Sequence, residues 1–482
     1  MAQLLSKAKE IADYIDKKDD VLIITHIDAD GIAAGSIASL ALKRKGIEHE
    51  IRFVKKLDES EVERVKNDNP DLVWFTDLGS GSLPILDGLD AVITDHHVPA
   101  KTELTREDRI DILKFASAIQ NGSNLNNNLH LNPHLIGLDG ANDLSGAGST
   151  YLVAKMMDKK NTDLSALAIV GAVGDLQDAK HLKLVGTNRD VLQDGKDAGV
   201  LLWKKDIRYF GRETRPVFKL LQYANDPIIP YLTGKEDACI NFLLELGISL
   251  KIEEEWRRWI DLTLEEKREI SSEIVKLLLS KGFGHEIAKR LIGEVYILNQ
   301  EEEGTELRDA KEYATLLNSC GRYEKAEVGY NVCLGDREEW LDRALVLLRG
   351  HRRTLVDMLL LIKESGITEM GHIQYFHGHD KIPENIVGTL AGMLLGGQEV
   401  RGDLPIFGFA LTSEGDIKVS ARGTRILVNK GLDLSVVMKE SSEKLGGVGG
   451  GHNIASGATI PKGSEEEFLK MANKLVKKQI SG

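Results

Sequence analysis

Several apolar runs in this chain stop abruptly on ionisable residues. "LIITHIDAD" (22–30), "LVWFTDL" (72–78) and "AVITDHH" (91–97) are β-rich runs that end on Asp or His, and "AIVGAVGDLQD" (168–178) ends the same way from helix-patterned sequence. Between them lie stretches with apolar residues at helical spacing, such as "GIAAGSIASLALKRKG" (31–46), "ESEVERVKN" (59–67) and "SGAGSTYLVAKMMD" (145–158). Strands separated by helices pair in parallel, because each helix carries the chain back to the edge where the last strand began. In such sheets a site forms just beyond the carboxyl ends of the strands. Those ends would bring His26, Asp28, Asp30, Asp77, Asp95, His96 and His97 into one crevice, with Asp175 joining them from a helix end.

One Asp after a strand is more simply a turn former or a helix cap, and Asp30 before Gly31 fits that description. Four separate segments doing the same thing call for a common cause. Carboxylates crowded within a few Å repel one another unless cations lie between them. Mixed Asp and His donors suit Mn²⁺ or Mg²⁺, with imidazole favouring Mn²⁺. This many donors point to two ions, which at roughly 3.5–4 Å apart clamp both oxygens of a phosphoryl displacement.

The order "HIDADG", "TDL", "TDHH", "GDLQD" resembles the four motifs of the DHH phosphoesterase superfamily. "VGGGHNIASGATIP" is similar to the GGGH motif of its DHHA1 partner domain, and "VSARGT" to that domain's Ser-x-Arg strand. "LNPH" and "DLSGAGSTYL" resemble segments of RecJ-type nucleases. The resemblance spans about 1–185 and 305–482, and within the superfamily it is nearest the archaeal RecJ-like, GINS-associated nucleases. It implies that His26, Asp28 and Asp77 hold a first ion and that Asp30, Asp77, His96 and Asp175 hold a second, with Asp77 bridging. It further implies that Asp95 orients a ligand histidine and that His97 faces a substrate phosphate. The bacterial RecJ branch has Asp at the place of His26; other branches have His, so His26 is kept as a ligand.

The expected architecture is α/β: a parallel-sheet DHH domain (1–185), a mostly helical insert (186–304), and a linking helix with an α/β DHHA1 domain (305–482), with the active-site cleft between the two α/β domains. In the glycine-rich "GGVGGGHNIASG" (446–457), a flexible linker competes with a backbone cradle for phosphate at Gly450 and Gly451. His452 would add a donor and Arg422 a bidentate fork. Ser145 opens a helix, either as its cap or at a phosphate site. The Asn-rich stretch 121–134 is expected to be a surface loop, with His134 at its end approaching the cleft. "WKKDIRYFGRETR" (203–215) and "RGHRR" (349–353) would guide a single strand, or would be solvated faces.

The 482 residues carry a net charge of -13, which argues against coating duplex DNA but not against an acidic pocket filled by cations. Three scattered cysteines make neither a zinc site nor a disulfide framework, and the start reads as an amphipathic helix rather than a signal peptide; a cytoplasmic protein that does not engage membranes is expected. The expected activity is hydrolysis of single-stranded nucleic acid from an end, 5′ to 3′ on DNA by the RecJ-like resemblance. The alternatives are a phosphatase of oligonucleotides or small phosphoesters, a 3′-end RNA exonuclease, and a structural replication factor. GINS is the expected partner, with 250–304 as its docking surface.

Overall fold

The computed structural model describes residues 2–100, 129–396 and 400–480. Residues 121–128 of the Asn-rich stretch lie outside the described residues. The chain forms two compact units, one of Met1–Leu220 with Ile240–Leu348, the other of Leu221–Cys239 with Arg349–Gly482.

The first unit is built on a five-stranded sheet. Its strands are β1 (Asp20–His26), β2 (Glu48–Val54), β3 (Val73–Thr76), β4 (Ala91–Thr94) and β5 (His130–Leu131), in the order β2-β1-β3-β4-β5. Every pairing is parallel. Alternation along each strand sends residues to opposite faces. Val21, Ile23, Trp74 and Val92 pack under the helices Ala2–Ile15, Ala29–Lys45, Gly146–Met157 and Ser165–Gly174. Leu22, Ile24, Val73, Phe75 and Ile93 pack on the other face against Val62 and Val65 of the helix Glu59–Asp68. Burial on both faces explains why these strands read as continuous apolar runs. The strand order reverses between β1 and β3, and a crevice opens at such a switch point.

Register fixes what meets there. Thr25 pairs with Thr76, and Thr76 with Thr94. His26, Asp77 and Asp95 are therefore each one residue past a common row. The helix after β1 is capped by Asp28, whose carboxylate accepts from Gly31 N–H, and closes on Gly46 in the left-handed conformation (φ 75°).

Residues 186–304 contain the helices Asn188–Asp197, Val217–Gln222, Glu236–Glu245 and Leu264–Ser280. They also contain an antiparallel ribbon of Leu201–Ile207 with Ile292–Leu298. The sequence "LLWKKDI" hides this strand, because its central residues are charged and only its ends are buried. The second unit carries a six-stranded mixed sheet, ordered Thr368–Met370, Ile373–His377, Ile406–Leu411, Ile417–Arg422, Ala455–Ile460, Val448–Gly451. Only Ile373–His377 and Ile406–Leu411 run parallel. Among the described residues, no helix is long and apolar enough to cross a membrane.

Candidate metal centre

The centre grows out of the switch point. Asp77 leaves β3 with a positive φ of 58°, a left-handed conformation that costs a non-glycine residue on the order of 1 kcal/mol and persists only where packing enforces it. Its carboxylate is fully buried, and neither oxygen has a hydrogen-bond partner. Oδ2 lies 3.7 Å from His26 Nδ1, and Oδ1 lies 3.3 Å from His96 Nε2. Asp77 thus turns one oxygen to each of two groups. In the first, His26 Nδ1 is 2.9 Å from Asp28 Oδ2. In the second, His96 Nε2 is 3.1 Å from Asp175 Oδ2 and 3.6 Å from Asp30 Oδ2. The sets His26–Asp28–Asp77 and Asp30–His96–Asp175 each converge closely enough to ligate one ion, as does Asp77–His96–His97.

His26 Nδ1 and His96 Nε2 are close to these carboxylates yet without hydrogen-bond partners. Buried polar atoms are nearly always paired. Lone pairs gathered at such distances without hydrogen-bond alignment are arranged for a cation, and the donor set of Asp oxygens and imidazole nitrogens fits Mn²⁺ or Mg²⁺. The electrostatics agree. Burial, then Asp77 and Asp175, push the Asp30 carboxyl well above the usual range. Burial likewise raises Asp175, against the pull of His96. Burial opposes a proton on His26, but Asp28 and Asp77 outweigh it and lift that imidazole to about 11. Asp28 is held below its usual range by His26 and the Gly31 N–H despite burial.

Two glycines make room. A Cβ on Gly146 would strike Asp77 Oδ1, and one on Gly171 would strike Asp30 Oδ1. Asp30 is anchored by the helix Gly146–Met157, accepting from Gly146 N–H (2.7 Å) and Ala147 N–H (3.0 Å). This changes the place of Ser145. It is fully buried and caps that helix by accepting from Gly148 N–H. With Asp30 on two of the remaining N–H groups, that helix end holds a protein carboxylate, and Ser145 takes the cap role of its two readings.

Asp95 accepts from the N–H groups of His96, His97 and Ser80, and from His97 Nδ1 at 2.8 Å. The imidazole it orients is therefore the exposed His97. His96 is oriented instead by the Gly140 carbonyl, 2.7 Å from its Nδ1. His134 is half-buried, its ring bonded to the His96 backbone and packed beside Gly140, so it braces the centre from behind.

The basic stretch 203–215 is turned inward at its two central arginines. Arg208 pairs with Asp178, and Arg212 with Asp206 and Asp309, all within the protein. These arginines tie the ribbon to the segment after Asp175 and do not form a strand-guiding face. Residues 349–353 lie within the helix Glu339–Ser365, where His351 is buried and Arg353 is exposed beside Asp357.

Residues not singled out by their pattern also build the centre. Asn318 accepts from Ala29 N–H, and Gly321 packs so closely that a Cβ would strike the Ile27 carbonyl. Arg322 is half-buried and near enough to Asp28 to sense its charge. All three come from "NSCGR" at the end of the helix Ala310–Arg322. A glycine and polar residues closing an otherwise amphipathic helix are the only trace in the sequence.

In the second unit, Arg422 and His452 share one end of the mixed sheet. Arg422 pairs in register with Ala455, which bonds to His452. Arg422 Nη1 donates to the Ala421 carbonyl, and its guanidinium lies against Gly388. The glycine-rich segment is an edge strand, not a linker: Val448–Gly451 pairs antiparallel with residues 456–459. Gly449 lets it approach the helix Leu434–Glu443, Gly451 takes a positive φ of 135°, and a Cβ on Gly450 would meet nothing within 4 Å. His452 is exposed at the turn.

Comparison with known proteins now adds to this geometry. A DHH-CID domain model matches residues 209–292, and a DHHA1 domain model matches 370–478. The uncharacterised protein MJ0831 of Methanocaldococcus jannaschii is 30% identical over 466 residues, 95% of this chain and 94% of its own length. This chain belongs to the DHH/DHHA1 superfamily. Among solved structures, RecJ from Thermus thermophilus in complex with Mn²⁺ matches 98% of the chain with a TM-score of 0.57 and 16% identity. The chain spans 55% of that protein's length. CDC45 from Entamoeba histolytica matches 99% of the chain and 98% of its own, with a TM-score of 0.63 and 14% identity. At these identities the likeness is one of fold. As a DHH-family member, the chain is a phosphoesterase, and its converging Asp/His clusters are candidate sites for divalent metal.

Proposed function

We propose that this protein is a single-strand-specific exonuclease that hydrolyses phosphodiesters with two divalent cations, 5′ to 3′ on DNA, in replication or repair. The observation that carries the reading is Asp77, a buried carboxylate with one bare oxygen turned to each of two donor sets. Four carboxylates (Asp28, Asp30, Asp77, Asp175) would balance the charge of two divalent ions. Such ions, when bound, supply Lewis acidity and lower the pKa of water. The chain's own groups do the rest. Asp30, fixed by two backbone N–H groups, keeps the second donor set from collapsing. His97 has Nδ1 engaged by Asp95, which also raises its pKa, leaving a ring that donates from Nε2 to a phosphate oxygen. Arg422, His452 and the open backbone at Gly450 and Gly451 are suited to hold the end of a strand.

The similar RecJ structures include complexes with Mn²⁺ and with Mg²⁺, and either ion suits the donor set here. Against the alternative of a structural replication factor, the donor sets His26–Asp28–Asp77 and Asp30–His96–Asp175 both converge here, which favours an enzyme. GINS is the partner this reading expects, docking on 250–304. Metal content together with product analysis on 5′- and 3′-labelled DNA and RNA strands of several lengths tests it. Mononucleotides released from the 5′ end of long single-stranded DNA are expected. Activity confined to very short oligomers would favour the phosphatase, and release from RNA 3′ ends the trimming enzyme.

A further inference from the structure

Gln177 ligates nothing, yet it is only 1% exposed and two residues from Asp175. Leu176 between them adopts a positive φ of 58° and is 62% exposed. That single left-handed residue turns Leu176 outward and both of its neighbours inward. Gln177 Nε2 then donates to the Gly140 carbonyl at 2.9 Å. The same oxygen accepts from His96 Nδ1 at 2.7 Å, so both its lone pairs are used. The other end of the amide is held as well: Gln177 Oε1 accepts from Asn188 Nδ2 at 2.6 Å. Asn188, also buried, reaches the carbonyls of Asn142 (3.3 Å) and Asp143 (3.0 Å).

Residues 137–143 have no helix or strand of their own. Gly140 is there because a Cβ would strike the His96 carbonyl. The loop is thus held at two carbonyls by side-chain amides, Gly140 by Gln177 and Asn142 by Asn188, and at a third, Asp143, by the Asn188 backbone N–H. What it presents is the one acceptor that fixes the His96 ring, with Nδ1–H bound and Nε2 facing Asp77, Asp175 and Asp30 at 3.3, 3.1 and 3.6 Å.

We propose that Gln177 is a positioning residue for the metal centre, fixing the orientation of the His96 imidazole through the Gly140 carbonyl, with Asn188 holding Gln177. The proposal rests on the reading of His96 as a ligand. Partners that set a ligating histidine typically change metal affinity by about 10–100-fold when lost. Gln177→Met keeps the volume and removes both hydrogen bonds. Titration calorimetry with Mn²⁺ should show one of two ions bound about 10–100-fold more weakly and the other nearly unchanged. A merely structural role would not move a second readout, the downfield imidazole N–H resonance of His96 in the ion-free protein, identified by its loss in His96→Gln. In Gln177→Met that proton should exchange faster with water. Asn188→Ala should shift both readouts the same way by less, and it carries the test if Gln177→Met does not unfold cooperatively. Wild-type affinities and wild-type exchange in the folded variants overturn the proposal. Asp77→Ala separates the two readings. If it loses ions while Gln177→Met behaves as wild type, only the positioning role falls. If Asp77→Ala binds both ions normally, the metal reading falls first.

Discussion

The two units solve the problem of holding charge in opposite ways. In the first, Asp30, Asp77 and His96 are buried, and their geometry is fixed by register, a helix N-terminus and a backbone carbonyl. In the second, His452 is exposed at a turn and Arg422 lies half-buried along its own strand. A buried cluster with unpaired donors is expensive unless something binds there, whereas an exposed polar side chain is satisfied by water. The first unit therefore spends stability on chemistry. On the proposed reading, the second would offer contacts that matter only when a substrate arrives.

The contrast predicts a gradient of effects. Asp77→Ala should be the most damaging substitution, lowering turnover on the order of 10³-fold or more, with loss of bound metal seen by elemental analysis. Near-normal turnover in excess Mn²⁺ would erase the difference between the units. Next is pH. The ion-free His26 is held protonated up to about 11, and Asp30 is pushed toward its neutral form. Both must give up protons to ligate. Ion binding should therefore release protons, and affinity should rise with pH, by about tenfold per unit for each proton released. Calorimetry in buffers of different ionisation heat at pH 6–8 counts those protons, and a count of zero contradicts the cluster's electrostatics.

Paired glycine substitutions sharpen the comparison. Gly171→Ala aims a methyl group at Asp30 and should weaken metal binding by about 10–100-fold. Gly450→Ala meets open space and should leave metal content unchanged and stability within about 0.5 kcal/mol of wild type, so any rise in KM reports a strand lying against that backbone. Arg422→Ala should raise KM by about tenfold, the worth of one charge-assisted hydrogen bond, and His452→Ala by less, both with full metal content. Loss of metal in either would show that the units are not separable in this way.

Much of the first unit was legible because a doubly buried parallel strand must be apolar until it ends. The first ionisable residue beyond such a run then stands out, as His26, Asp77 and Asp95 do. Ser145, Arg208 and Arg212 show where that legibility stops. Each is of a type suited to phosphate, and each is engaged within the protein: Ser145 caps its own helix, while Arg208 pairs with Asp178 and Arg212 with Asp309, both distant in sequence. The ribbon strand Leu201–Ile207 was hidden for the related reason that its charged residues are paired or solvated rather than alternating with apolar ones.

The sequence alone determined the alternation of elements, the residue types at the strand ends and so the demand for cations, since these follow from periodicity and from the chemistry of side chains. Only the tertiary structure decided which histidine Asp95 holds, which carbonyl orients His96 and which glycines must stay bare. Those outcomes depend on register and close approach between segments that are distant along the chain, and a linear pattern does not encode the ångström-scale direction of a side chain.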